Sequence, residues 1–354
     1  MEIRQRTEQI ERKDKTGTRT FQGAWPNLRS LVEFEIESYL VTRDRPGTLP
    51  GYGPLMQAAL GGAPVYFAGR SALLGGDGRT LSFGGGHGLE PGQGVGCGDE
   101  IRFVEAIPDA STAVLNAPLV NTLPGGVRLE DTVTIGPEEK LPSLSLFDYR
   151  TPAWFVQRIL RGAGVDEFKV VINGDYHEFV FSGAGAELMD NVSFSAGQGG
   201  LAAFPDEPAV PSSRPWPVPG HLGQAWMGVG PSKFNTLTAA RIIVKNNLNR
   251  RNTEFGARFP LCLVPGEREV TAEFTLYGRD EQMYNDLYAA AIQRAAVPMM
   301  LQLGVAPGNL FGVSLGGFVP DVPEFLEDEE RLRWRFRASR AQGTAEDEIH
   351  VAFC

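Results

Sequence analysis

Four consecutive pieces of the chain decide its fold: AARIIVKNNLNRR (239–251), FPLCLVPGEREVTAEFTLYG (259–278), EQMYNDLYAAAIQRAA (281–296) and VPMMLQLG (297–304). In GEREVTAEFTLYG, Glu267, Glu269, Thr271 and Glu273 fall on one face and Val270, Ala272, Phe274 and Leu276 on the other. That period of two predicts a half-buried strand. In the third piece, Met283, Tyr284, Leu287, Tyr288, Ala291, Ile292 and Ala295 recur at three-and-four spacing, which predicts one helix with one buried face. Asp280 is its expected N-cap, and Pro298 is expected to end it after Val297. The result is a lone helix laid over strands.

The rest of the chain has the same texture. Its 354 residues favour two cores over one, and 43 glycines and 25 prolines describe many short strands joined by tight turns. SLVEFEIESYL alternates Val32, Phe34 and Ile36 against Glu33, Glu35 and Glu37, and GPLMQAALGG after it reads as a short helix closed by Gly61 and Gly62. PVYFAG, IRFVEAI, TAVLNAPLV, VRLEDTVTI, LSLFDY, EFKVVING and YHEFVFSG are strand candidates. Between LSLFDY and EFKVVING, TPAWFVQRILRGAG reads as a helix opening at Thr151 and Pro152 and closing at Gly162. Past the main helix, LRWRFRAS and DEIHVAF are further strands. LRWRFRA places Leu332, Trp334 and Phe336 on one face and Arg331, Arg333, Arg335 and Arg337 on the other.

Two segments stand apart. Residues 1–28 form a polar arm ending in the aromatic pair Phe21 and Trp25, with too little apolar surface to order alone; an arm that docks elsewhere and a plain disordered tail read alike. Residues 204–232 carry prolines too densely for a helix or a central strand, and mark the expected connector between the halves. The halves echo one another: FKVVINGDYHEFVF resembles ARIIV…REVTAEF, and both SLVEFEIESYL and REVTAEFTLYG precede a helix.

This order of strands, helix and strand resembles the core of the major tail tube protein of long-tailed bacteriophages, most closely over about residues 235–354 and more faintly over about residues 28–200. The resemblance implies a mainly β fold, with tandem β-sandwich or barrel domains that each carry a flanking helix. It divides the chain into an arm (1–28), a first tail-tube-like domain with insertions (29–203), the connector (204–232) and a second such domain (233–354). It further implies a structural virion protein, assembled in the host cytoplasm, that forms stacked rings around a channel for DNA. Two domains per chain would close a pseudo-six-fold ring with three copies, a hexamer being the alternative. Tape-measure, tail-terminator and tail-tip proteins are the implied partners. A two-domain β-sandwich binding module, or a tail-terminator or distal-tail protein, is the competing reading.

On this view Glu33, Glu35, Glu37, Glu267, Glu269 and Glu273 face a hydrated lumen whose negative wall repels passing phosphates; an ordinary outer surface would suit them equally. Arg331, Arg333, Arg335 and Arg337, with Phe21 and Trp25, are the candidate subunit contacts. A net charge of −10 argues against adhesive wrapping of nucleic acid, which requires a basic surface.

No catalytic, cofactor or metal site is expected. Gly312-Val313-Ser314-Leu315-Gly316 spells a nucleophile-elbow string, followed by Asp321 and His350, but Pro320 and Pro323 forbid the helix an elbow requires. GGGHGLEPGQGVGCG lacks the lysine of a phosphate loop, and the four histidines are scattered. Cys97, Cys262 and Cys354 are far apart in sequence and show no CxxC pairing, which supports neither a disulfide framework nor a zinc site. No apolar run reaches the roughly 18 residues of a membrane span, so no membrane insertion is expected.

Overall fold

The computed structural model describes residues 1–7, 17–20, 30–41, 45–149, 156–207, 216–228, 230–251, 254–257, 259–279, 281–328 and 331–354. Half of the chain is strand and 7% is helix, so the protein is mainly β, built as sandwiched sheets. The chain opens with β1 (Glu2–Thr7), β2 (Ser30–Tyr39) and α1 (Gly53–Leu60). Short strands follow: β3 (Val65–Phe67), β4 (Ser71–Leu74), β5 (Thr80–Ser82), β6 (Gly94–Cys97), β7 (Glu100–Asp109), β8 (Thr112–Leu115), β9 (Gly125–Arg128), β10 (Thr132–Ile135) and β11 (Leu144–Tyr149). Next come β12 (Gln157–Ile172), β13 (Glu178–Gly185), β14 (Glu187–Asp190), β15 (Gly223–Met227), β16 (Ser232–Lys233), β17 (Leu237–Lys245), β18 (Asn249–Arg250), β19 (Leu263–Val264) and β20 (Glu269–Tyr277). The chain closes with α2 (Gln282–Gln293), β21 (Val297–Leu303), β22 (Phe311–Val319), β23 (Glu324–Asp328), β24 (Arg331–Ala341) and β25 (His350–Phe353).

One antiparallel layer runs β1–β2–β13–β12–β17–β20–β24–β23. A second runs β3–β10–β25–β22–β21–β15–β16, and β22 also pairs with β24 at Phe318 and Ala341, joining the layers. Because side chains alternate, the central strands of the first layer turn one apolar face to the second, while Phe325 and Trp334 at the β23–β24 end pack with Tyr288 of α2. Phe179 meets Phe311 at 5.0 Å between ring centres, and Phe274 meets Phe318 at 5.9 Å, so aromatic rings from both layers fill the gap. Between β3 and β10, residues 71–128 leave this body to build a six-stranded sheet, β6–β7–β8–β5–β4–β9, with a core of its own that includes Leu81, Leu115 and Leu129.

The echo between FKVVI and ARIIV becomes geometry at the centre of the first layer. Phe168 pairs with Val244, Val170 with Ile242 and Ile172 with Ala240, a register symmetric about the central pair. The neighbouring hairpin strands follow the same two-fold: Phe181 lies beside Phe168, as Phe274 lies beside Ala240. The second echo, strand then helix, does not obey that axis. β2 sits two strands out from the centre, whereas β20 is next to β17.

Four local expectations are corrected. The helix expected over Thr151–Gly162 is replaced, in its described part, by β12. Ile159 and Leu160 are adjacent and both buried because this half of the strand lies between β11 and β14, and such a doublet mimics a helical face. Gly162 adopts φ +58° there, and the β11 register shifts alongside it, between Leu144 and Leu146. Next, α2 stops at Gln293, short of Val297, because Arg294 takes a left-handed φ of 54° and its N–H caps the Ala290 and Ala291 carbonyls. Its buried face is therefore Tyr284, Leu287, Ala290 and Ala291, leaving Ile292 exposed; Asp280 lies outside the described residues.

The third correction concerns the arm. Its first residues form β1 on the chain's own sheet, with Ile3 buried, while Phe21 and Trp25 lie outside the described residues. Finally, the proline-free run 220–230 within the 204–232 stretch supplies β15, paired to both β21 and β16. The short helix expected at GPLMQAALGG is α1, closed by Gly61, whose N–H bonds the Gln57 carbonyl.

Candidate functional surface

The apolar side of the first layer is covered by the second layer and, at the β23–β24 end, by α2, and its other side carries a broad set of charged side chains. Alternation along β2 puts Glu33, Glu35 and Glu37 there. Register carries the face across the molecule: Glu35 lies opposite Ser182, Ser182 opposite Glu167, Glu167 opposite Lys245, and Lys245 opposite Glu269. Glu269 and Glu273 therefore share a single face with the β2 glutamates, although more than 200 residues separate them in sequence. Glu267 stands just before β20, where its carboxylate accepts a bond from Arg340 at 2.7 Å.

The predicted arginines lie at the far end of the same face. Arg335 is paired with Thr275 and Arg333 with Tyr277, and the Arg331 guanidinium sits 5.4 Å from the centre of the Tyr277 ring. Arg337 donates to Glu324 of β23 at 2.8 Å. The structure thus brings both predicted clusters onto one surface, glutamates on β2 and β20 and arginines on β24, with Arg4 and Arg6 on β1 and Glu324 on β23 at its two edges.

Sequence reasoning missed the middle of that surface. Lys169, Arg241 and Lys245 project between the two clusters, so the wall is mixed in charge where alternation in β2 and β20 alone suggests a negative one. Lys169 and Lys245 reach Glu167 at 2.5 and 3.5 Å, and Arg241 reaches Glu273 at 3.5 Å. Glu33 accepts from Arg250 at 2.9 Å, with Arg6 at 3.8 Å. Among the described residues no ion pair reaches Glu35, Glu37 or Glu269. The signal was present in EFKVVI and ARIIVK, whose basic residues alternate with the apolar ones.

The remaining sequence motifs take no site-like form. β22 runs straight through Ser314 with no turn, so the elbow geometry is missing. Ser314 and His350 are cross-strand neighbours, but the Ser314 hydroxyl accepts a bond from Asn116 at 3.1 Å, and the Asp321 carboxylate accepts from the Val322 N–H at 3.0 Å. All three cysteines are free thiols; burial pushes Cys354 up to about 12. Among the described residues no three His, Cys, Asp or Glu side chains converge to hold a metal, and no helix is long and apolar enough to cross a membrane. Comparison of the sequence with protein-family models and with curated proteins gives no match.

Proposed function

We propose that this chain is a tube-forming structural protein, the major tail tube subunit of a long-tailed bacteriophage, whose copies close into rings that stack around a DNA channel. The observation that carries this reading is the strand layer β1–β2–β13–β12–β17–β20–β24–β23, which is antiparallel throughout and, among the described residues, ends in two strands with one unpaired side each. With an even number of alternating strands, β1 and β23 run in opposite directions. Rotation about an axis along the strands brings the β23 edge of one copy beside the β1 edge of the next in antiparallel sense, so the sheet continues without a break. That seam sets β1, with Arg4 and Arg6 on the charged face, beside β23 of the neighbour, with Glu324 on the same face.

Three copies supply about 24 strands, and at ~4.8 Å spacing the closed sheet is about 115 Å round and about 37 Å across between backbones. Only the charged face can line such a bore, since the other is buried against the second layer and α2. A hydrated wall bearing both signs of charge holds phosphates neither by a basic patch nor by stacking platforms. β2, before α1, and β20, before α2, are each the second strand of a four-strand block, β1–β2–β13–β12 and β17–β20–β24–β23, and run in the same sense, which supports three chains of paired domains per ring over six of one. The tape-measure, terminator and tip proteins are the proposed partners at the tube's interior and ends, and the virion its location.

Electron microscopy and native mass measurement of the purified protein test this. Stacked tubes with three chains per ring are expected. Discrete rings that never stack would point instead to a terminator or distal-tail role. A protein that stays monomeric at high concentration would overturn the assembly reading altogether.

A further inference from the structure

The end of the 204–232 connector is tied to the rim of the first half by a closed set of bonds. The Leu40 N–H donates to the His177 carbonyl at 2.9 Å, the His177 N–H to the Val218 carbonyl at 3.2 Å, and the Val218 N–H to the Leu40 carbonyl at 2.8 Å. The Gly220 N–H adds a bond to the Asp175 carbonyl at 3.1 Å, and Pro217 and Pro219 bridge to Val41 and Tyr176. Gly220 packs so closely that a Cβ there would lie 2.0 Å from the Gly174 carbonyl oxygen.

One side chain pins this arrangement. His177 is 1% exposed, and its Nε2 lies 2.9 Å from the Leu222 carbonyl oxygen. A carbonyl only accepts, so Nε2 carries the proton and Nδ1 is the bare nitrogen. Nδ1 is buried and has no hydrogen-bond partner. Adding a proton there creates both a donor without an acceptor and a charge without a counter-ion. The recess beside it offers no relief: its titratable neighbours are His221 on the connector and Lys233 on β16, both cationic when protonated. Asp175 and Glu178, the closest carboxylates along the chain, make no hydrogen bond to the imidazole.

We propose that His177 is the pin of an acid-opened clasp, which holds residues 217–222 to the β2–β13 rim while the imidazole is neutral and releases them when it is protonated. Burial, with His221 adding to it, holds the imidazole below its ordinary range. The closed clasp therefore binds fewer protons than the open one. Its stability is complete above about pH 6.5, the ordinary histidine value, and declines as pH falls below that. This inference does not depend on the tube reading.

Amide hydrogen exchange on the full chain, expressed as protection factors so that the intrinsic pH dependence cancels, reads the clasp directly. Between about pH 7.5 and about pH 5, either side of the ordinary histidine value, the Leu40, Val218 and Gly220 amides should lose protection, while the β12–β17 ladder keeps its own. His177→Gln retains a donor for Leu222 but cannot titrate, and should show no such loss; His221→Gln should keep it. A wild-type profile with no loss, or the same loss in His177→Gln, overturns the proposal. If His177→Gln fails to fold, the His177 ring resonances of the wild type decide: they should titrate below about pH 6.5, together with the amide release, and titration at or above it refutes the clasp.

Discussion

A carboxylate meets a guanidinium in two very different settings in this protein. On the charged face, Glu33 with Arg250 and Glu273 with Arg241 stay open to water. Where the inserted sheet docks, Glu100 and Arg102 are both fully buried, 2.6 Å apart. Arg102 also donates to Gln302 and Gln224 at 2.9 Å each, to the Pro118 and Ile101 carbonyls, and lies 5.1 Å from the Trp226 ring centre. The other Glu100 oxygen accepts the Asn121 N–H at 2.9 Å. Burial pulls Arg102 down to about 10, against the pull of Glu100, which still leaves it charged at neutral pH. The lesson is that the same chemical pair fixes the orientation of one module on another when dry, and tunes contacts with outside partners when wet.

The largest effect expected from that contrast is at the seam. Arg102→Met leaves Glu100 buried without its counter-charge and should cost about 3–5 kcal/mol in chemical denaturation, whereas Arg102→Met combined with Glu100→Leu should recover most of it. If the double variant is no more stable than the single one, the seam is held by packing and not by charge.

Next in size is removal of residues 1–7. It deletes β1 and the buried Ile3, and should lower stability by about 1–2 kcal/mol while abolishing ring closure, because β2 would then present the wrong strand direction to β23. Rings of unchanged mass from the truncated protein would separate the sheet edge from assembly.

Smallest is Arg250→Gln, which breaks one wet pair at Glu33. Its effect on stability should be under about 1 kcal/mol and should shrink further when salt is raised from about 0.05 to about 0.5 M. The Arg102 variants should respond little to salt over the same range. A salt response of equal size at both places would erase the distinction between them.

Where local pattern and tertiary environment agree, the fold could be read from residues. GEREVTAEFTLYG alternates cleanly, and β20 buries Val270, Ala272, Phe274 and Leu276 as that alternation requires. GPLMQAALGG becomes α1 because Gly61 can take the positive φ that closes it. The failure at 151–162 has the opposite cause: β12 changes partners midway, and strand pairing on both sides buried a doublet that one-dimensional periodicity assigns to a helix. The candidate surface was half legible, since the glutamates and arginines were found but not the fact that they share a face.

The sequence by itself determined which side of each strand is apolar, because alternation of side chains is a local property of extended backbone. It also set the mainly β character, through its glycines, prolines and short alternating runs. Only the tertiary structure decided which strands are neighbours. Register between β12 and β17 placed Glu167 beside Lys245, and the order of the layer put the glutamates of β2 and β20 and the arginines of β24 on one surface. Such pairings join residues far apart in the chain, and their energies depend on the water, charge and packing that only the folded molecule supplies.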